Sequence, residues 1–202
     1  MSFWENTRNP SGLGGEIMVS MMNIGHAALA NWGMDFLSLP ADGKVLDCGC
    51  GGGANLKKLL KKCPQGIIKG IDCSSVSVEK ARQLNTQAIQ EGRCVVWQGS
   101  AEQIIFAKSW FDGVTAFETV YFWPDLIKCF HEVHRVLKPG GTFLICNACA
   151  DPASGEKWTK QINGMTVYTD AQLKAFLEQT GFHKIEVHKN KKGWLCITAQ
   201  KR

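Results

Sequence analysis

Apolar residues recur at three- and four-residue steps near the start of the chain: Ile17, Met18, Met21 and Met22, then Ala27, Ala28, Leu29, Trp32, Phe36 and Leu37. That spacing predicts two helices between 16 and 39, parted or kinked at Gly25-His26. Residues 1–15 are polar, glycine-bearing and marked by Phe3 and Trp4, which predicts an extended arm. From residue 40 the pattern changes. Short apolar runs over 44–47, 67–72, 94–97, 113–117 and 142–146 alternate with helical patterns over 53–63, 76–90 and 124–137. A loop and short helix fill 100–107. Ser74 and Ser75 supply N-cap chemistry for one helix and Pro124-Asp125 for another. Strands spaced by helices predict right-handed crossovers and a mostly parallel sheet, an α/β fold. Residues 149–168 break the rhythm and read as a functional loop or lid. Thr169-Asp170 then caps a last helix ending near Gly181. Residues 183–188 and 194–199 are strand-like and joined by a short turn, which forces an antiparallel hairpin.

Composition adds little to this picture. A 202-residue chain with 45% hydrophobic and 20% charged residues predicts one soluble domain with a large core. Its net charge of +5 is spread over separate lysine runs, the pattern of solvated faces and a hairpin turn rather than a nucleic-acid footprint. Most of the nine cysteines sit in apolar runs, as buried free thiols of a reducing cytoplasm do. Cys48-x-Cys50 is not a zinc spacing, and no metal site is expected. With no signal-like start and no membrane-length apolar run, the expectation is a cytoplasmic protein.

The candidate chemistry begins at Val45-Leu46-Asp47-Cys48-Gly49-Cys50-Gly51-Gly52-Gly53. A strand that breaks into glycines and resumes as a helix is a nucleotide-binding turn, since glycine takes positive φ and lets a ligand approach the backbone. Asp72 closes the next strand about twenty residues on, where a carboxylate accepts from both ribose hydroxyls of an adenosine. The other reading of Asp72 is a carboxylate favouring a helix N-terminus. Asp47 beside the glycines would repel a pyrophosphate and favour a cation. It and the closing hairpin point away from a dinucleotide.

These segments together resemble the class I S-adenosylmethionine-dependent methyltransferases, of the methyltransferase domain type 11 kind. The glycine turn is similar to their first motif and Ile71-Asp72 to their second. Gly99-Ser100-Ala101-Glu102 resembles the segment after strand three, and Phe111-Asp112-Gly113-Val114 through Phe117-Glu118 the strand-four motif. Arg135-Val136-Leu137-Lys138-Pro139-Gly140-Gly141 matches the turn before strand five, and Gly181-Phe182 the end of the last helix. Many relatives carry an Asp where this chain has Ser100, which weakens the adenine contact there. The resemblance covers 40–202. It implies a Rossmann-like seven-stranded sheet of order 3-2-1-4-5-7-6 with strand seven antiparallel, and an N-terminal cap over 1–39. It implies S-adenosyl-L-methionine as cofactor and S-adenosyl-L-homocysteine as product, held by Asp47, Gly49, Cys50, Gly51, Asp72, Cys73, Ser100, Ala101, Glu102 and Phe117. Glu102 has the alternative reading of a helix or loop acid.

On the acceptor side, Glu118, Tyr121, Trp123 and Trp158 are expected to line the substrate site, with 149–168 as a substrate-side insertion. Tyr121, Phe122 and Trp123 form an aromatic wall or simply bury the base of the next helix. His26 and Tyr121 are the candidate catalytic residues, His26 as a base near neutrality or as a structural histidine; Glu16 is a further candidate. His131 and His134 read as surface residues. A methionine- and aromatic-rich set including Trp4, Met18, Met21, Met22, Met165 and Tyr168 suggests a small-molecule acceptor. The partners expected are that acceptor alone, without membrane or nucleic acid, in a monomer or weak homodimer. A non-catalytic cofactor-binding adaptor and an RNA or protein methyltransferase are the competing readings.

Overall fold

The computed structural model describes residue 10 and residues 12–202. The chain forms α1 (Gly12–Gly25), α2 (Ala27–Met34), β1 (Lys44–Cys48), α3 (Ala54–Lys62), β2 (Ile67–Asp72), α4 (Ser75–Leu84), α5 (Thr86–Gln90), β3 (Cys94–Gln98) and β4 (Phe111–Phe117). A 3₁₀ turn (Val120–Phe122) leads to α6 (Leu126–Val136), β5 (Leu137–Asn147), α7 (Pro152–Thr159), α8 (Asp170–Gln179), β6 (Phe182–Lys189) and β7 (Leu195–Lys201).

The seven strands run β3-β2-β1-β4-β5-β7-β6 across one sheet. The first five pair in parallel, and β7 pairs antiparallel with both β5 and β6. The order and the reversed last strand are those expected. The central strands are mostly apolar because helices cover both faces: Val45, Leu46, Val114, Phe143, Leu144 and Ile145 are all fully buried. One face packs Phe111, Phe130, Phe143 and Leu177 together. The other packs Leu29, Leu56, Leu59, Val78 and Leu144.

Three local features depart from the pattern-based expectation. The helix expected over 76–90 breaks at Asn85, whose side-chain NH₂ donates to the Gly53 carbonyl at 3.1 Å and to the Ala81 carbonyl at 2.8 Å. Asn85 thereby ties the helix C-terminus to the glycine turn, a tertiary demand that overrides the local period. The segment 149–168 contains α7, capped by Asp151, whose carboxylate accepts from the Ala153 and Ser154 amides. The expected arm over 1–15, with Phe3 and Trp4, falls mostly outside the described residues, and its last part, from Gly12, is helical. The break between α1 and α2 does fall at His26. Ser74, Asp125 and Thr169 cap α4, α6 and α8, with a capping box at Thr169 and Gln172.

Helix α2 lies on the sheet at β5, and the contact needs a glycine. A Cβ on Gly33 would stand 2.6 Å from Cys146 Sγ. This close approach seats the α1–α2 pair and carries His26 toward the carboxyl ends of the strands. All nine cysteines are free, seven of them buried.

Candidate active site

The carboxyl ends of β1, β2 and β4 open into one cavity of about 920 Å³. Its position is the crevice that an open α/β sheet provides beyond its strand ends. Residues from β1 and its turn, β2, the loop after β3, the end of β4, α1–α2 and the 149–168 segment all reach it.

The glycine turn forms its floor. Gly49 and Gly51 have φ of +82° and +50°. The amides of Gly49 and Cys50 both donate to the Ile71 carbonyl, at 2.8 and 3.0 Å, so the turn is pinned to the end of β2. The two glycines do different work. A Cβ on Gly49 would collide with Thr119 Oγ1 at 2.1 Å, whereas nothing lies within 4 Å of where a Cβ on Gly51 would be. At Gly51 the backbone borders open cavity.

Asp72 sits at the junction. Its Oδ2 accepts from Gly51 N–H at 2.9 Å and its Oδ1 from Ser74 N–H at 2.9 Å. Each oxygen keeps a lone pair for a ligand hydroxyl. Burial raises the Asp72 pKa, against the pull of the hydrogen bonds from Ser74, Gly51 and the Ser77 side chain. Asp47 does not line the cavity. It is buried behind the turn, with Oδ1 accepting from Thr115 Oγ1 at 2.7 Å and Oδ2 without a partner. Burial lifts its pKa to about 7, the Thr115 hydrogen bond working against that and the Asp72 charge adding to it.

Of the other residues anticipated near a nucleotide, Gly49, Cys50, Gly51, Cys73, Ser100, Ala101 and Phe117 all line the cavity. Cys50 does so mainly by its backbone, since its thiol packs toward Gly70. Glu102 lies off the lining and pairs with Lys128 at 3.6 Å, the loop-acid alternative.

The far wall is aromatic and carries a second carboxylate. Glu118 follows β4 with φ of +57°, rare for a residue with a Cβ. The Ala148 amide and the Tyr121 hydroxyl (3.2 Å) both meet its Oε1. Its Oε2 faces His26 Nε2 at 3.8 Å. Burial raises the Glu118 pKa to about 7, against the hydrogen bonds from Ala148 and Tyr121. Burial also lowers the His26 pKa. The Tyr121 oxygen accepts the Cys149 amide at 2.9 Å, and its proton lies within reach of the Cys149 carbonyl, also at 2.9 Å. Burial first, then the Glu118 charge, raises the Tyr121 pKa well above the usual phenol value. Tyr121 thus ties the strand-four end to the 149–168 segment, a bond repeated by Thr166 N–H to the Tyr121 carbonyl at 2.9 Å.

Trp123 and Trp158 both line the cavity, as anticipated. Trp123 also serves the core: its indole N–H donates to Thr119 Oγ1 at 3.2 Å and its ring lies parallel to Phe143. Met18, Met21 and Met165 line the cavity too, while the side chains of Trp4, Glu16 and Met22 lie outside the described residues. Thr119, Ala148, Cys149 and Ile162 are lining residues that sequence reasoning did not single out. Thr119 had a signal, being the residue beside Glu118 in the strand-four motif; Ile162 had none, because only the folded 149–168 segment brings it in. His131 is exposed, and His134 packs edge-on against Phe182.

The cavity fits an adenosine with a cationic tail better than a dinucleotide. Its described lining holds two carboxylates, Asp72 and Glu118, and neither lysine nor arginine. A pyrophosphate would find no counter-charge there, while a cation would. Among the described residues no group of three or more His, Cys, Asp or Glu stands where it could hold a metal ion. No helix among them is long and apolar enough to cross a membrane.

Comparisons with known proteins agree with this fold. Residues 46–145 match the family model described as "Methyltransferase domain". Cycloartenol-C-24-methyltransferase 1 of Oryza sativa subsp. japonica is 32% identical over 106 residues, 52% of this chain and 30% of that protein. The O-methyltransferase resE of Aspergillus sclerotiorum is 28% identical over 156 residues, 74% of this chain and 58% of that one. The chain therefore spans between about a third and three fifths of the length of these curated relatives. Among solved structures, a chain from the complex between the Haloferax volcanii Trm112 methyltransferase activator and a putative methyltransferase superposes with a TM-score of 0.82. It is 19% identical, with 91% of this chain and 93% of that chain covered, a likeness of fold.

Proposed function

Because the chain belongs to the class I S-adenosylmethionine-dependent methyltransferase family, we propose that it transfers a methyl group from S-adenosyl-L-methionine to a small-molecule acceptor bound in this cavity. The observation that carries the proposal is the pairing of Asp72 with Gly51. It places a carboxylate with spare lone pairs beside a stretch of backbone that opens onto free space.

When bound, the cofactor supplies a methyl carbon on a positively charged sulfur. The chain's own residues supply binding, orientation and exclusion of water. Asp72 would accept from the ribose hydroxyls. Cys73, Ser100 and Ala101 would border the adenine, and Gly49, Cys50 and Gly51 the methionine end. Asp47 acts indirectly, bracing the turn from behind and adding negative potential under it. Phe117 would close the floor beneath the reacting centre.

The acceptor would lie against Tyr121, Phe122, Trp123 and Trp158, walled in by residues 149–168 and roofed by Met18, Met21 and His26 of the cap over 1–39. A small, aromatic- and methionine-lined enclosure suits a small molecule, as the sterol and O-methyltransferase relatives do. Holding nucleophile and methyl in line and excluding water is the main catalytic task. Tyr121, anticipated as catalytic, is better placed as a positioning residue, because its hydroxyl is already engaged by Cys149 and Glu118. We keep the expected monomer or weak homodimer, without a nucleic-acid partner, as part of the same reading.

The test is release of S-adenosyl-L-homocysteine from labelled S-adenosyl-L-methionine over a panel of small thiols, amines, phenols and carboxylates. Turnover on at least one class is expected. Tight nucleoside binding with no turnover on any class would instead make the protein a cofactor-binding adaptor.

A further inference from the structure

The cavity's charge is opposite to that of the protein. The chain carries a net charge of +5, yet the described lining holds two carboxylates, neither lysine nor arginine, and a single histidine. Asp72 lies at the glycine-turn end, where the adenosyl cofactor is proposed to bind. Glu118 lies at the other end, among Phe117, Tyr121, Phe122, Trp123 and Trp158, and nothing in the proposed function yet uses its charge.

The geometry leaves one oxygen of Glu118 available. Oε1 is engaged by the Ala148 amide and the Tyr121 hydroxyl. Among the described residues, Oε2 has only His26 Nε2 opposite it, at 3.8 Å, beyond hydrogen-bond reach. The Glu118 side chain is 14% exposed and that of His26 43% exposed. An oxygen facing the cavity, backed by a histidine that reaches solvent, is the arrangement of a proton acceptor with an exit. The positive φ of Glu118 fits this placement: strained backbone held at a strand end is characteristic of functional residues.

We propose, resting on the methyltransferase reading above, that the acceptor is an amine with an aromatic or apolar body, bound as its ammonium form by Glu118, which then takes its proton. Four properties of the site favour this class. An ammonium finds a carboxylate and aromatic faces, both of which attract cations. A carboxylate or phosphate ester would meet two like charges and no described cation. A neutral alcohol or alkene would leave Glu118 without a charged partner in a poorly solvated wall. Finally, an ammonium cannot be methylated until it loses a proton, so the residue that recognises it must also be able to deprotonate it.

The proton step balances simply. One N–H proton of R–NH₃⁺ passes to Glu118 Oε2, and the electron pair of that bond stays on nitrogen, giving R–NH₂ and a neutral carboxyl. The nitrogen pair then forms the N–C bond as the methyl carbon's bond to sulfur breaks, its electrons remaining on sulfur. The carboxyl then gives up its proton to water entering beside the half-exposed His26. Among the described residues, the titratable groups facing Glu118 are His26 from the α1–α2 turn, Tyr121 from the 3₁₀ turn and Cys146 from β5. Neither Tyr121 nor Cys146 titrates near neutrality, because burial raises the phenol and a shared hydrogen bond with Cys196, then burial, raises the thiol. A carboxyl held near 7 is poised to accept and release the proton at neutral pH.

The experiment compares matched ligands on the S-adenosyl-L-homocysteine-loaded protein by calorimetry. Phenethylamine, 2-phenylethanol and phenylacetate share one body and differ in head-group charge, as do tryptamine, tryptophol and indoleacetate. In at least one series the amine should bind tenfold or more tightly than both its matches. The Glu118→Gln variant, near-isosteric, should lose that preference. In wild type, the ¹³C shift of the Glu118 carboxyl should move when the amine is added. An amine that binds no better than its neutral or anionic match, in both series, overturns the proposal, and so does binding by no member. A preference that survives in Glu118→Gln removes Glu118 from the role. Loading with the nucleoside is measured first and separately, so failure of cofactor binding is distinguishable from failure of amine selectivity.

Discussion

Glu118 Oε2 at the end of β4 stands 3.8 Å from His26 Nε2 at the junction of α1 and α2. The contact joins the N-terminal helices to the centre of the sheet, and it puts a carboxylate that burial raises to about 7 next to an imidazole that burial lowers.

Stability should therefore fall as pH rises through neutrality. Glu118 and Asp47 have folded pKa values of about 7, above their ordinary 4.5 and 3.8, so the folded state binds more protons than the unfolded one between those limits. Their contribution is fully present below about pH 4 and is lost as pH passes 7. Between pH 5.5 and 7.5 each group should remove on the order of 1–2 kcal/mol. Urea unfolding at the two pH values checks this. Glu118→Gln should flatten the difference by its own share. An equal difference in wild type and variant would refute the assignment.

The two glycines of the turn should fail differently. Gly49→Ala forces a Cβ against Thr119 and should unfold at lower temperature, with a loss of about 1–2 kcal/mol from the left-handed backbone alone and more from the clash. Gly51→Ala carries the same backbone cost but points its Cβ into open cavity, so its larger effect should be on nucleoside affinity, at least tenfold. Thermal melting and calorimetry on both variants separate the two. Equal affinity loss without a stability difference would contradict this division of roles.

Among the described residues, Thr115 supplies Asp47 with its only side-chain hydrogen bond, at 2.7 Å, in a fully buried setting. Thr115→Val keeps the shape and removes the donor. It should cost about 1–3 kcal/mol, the penalty of an unsatisfied buried polar group, at pH 8, where Asp47 is ionised. At pH 5.5, with Asp47 protonated, the loss should shrink. A pH-independent loss would show that packing alone is affected.

The alternation of strands and helices and the glycine turn were readable because both are local signals: apolar runs, turn residues and a carboxylate closing β2. The order of the strands was implied by the family resemblance instead. Asp72 was found by spacing and lies where that spacing implied. What spacing does not carry is which way a side chain turns once neighbours arrive. Asp47 adjoins the glycines in sequence, yet Thr115 of β4 holds it behind the turn. Glu102 turns to Lys128, in the first turn of α6. The contact of Glu118 with His26 depends on α2 resting on β5 at Gly33, which no local pattern encodes. The break at Asn85 has the same origin, a side chain recruited by the distant Gly53 carbonyl.

The most direct test of the account is calorimetric titration of S-adenosyl-L-homocysteine into wild type and Asp72→Ala, with melting curves to confirm that both are folded. Wild type should bind one equivalent. Asp72→Ala should bind more weakly by about 1–3 kcal/mol, the order of a lost charged hydrogen-bond acceptor. Absence of binding to folded wild type, or an affinity unchanged in Asp72→Ala, would contradict it.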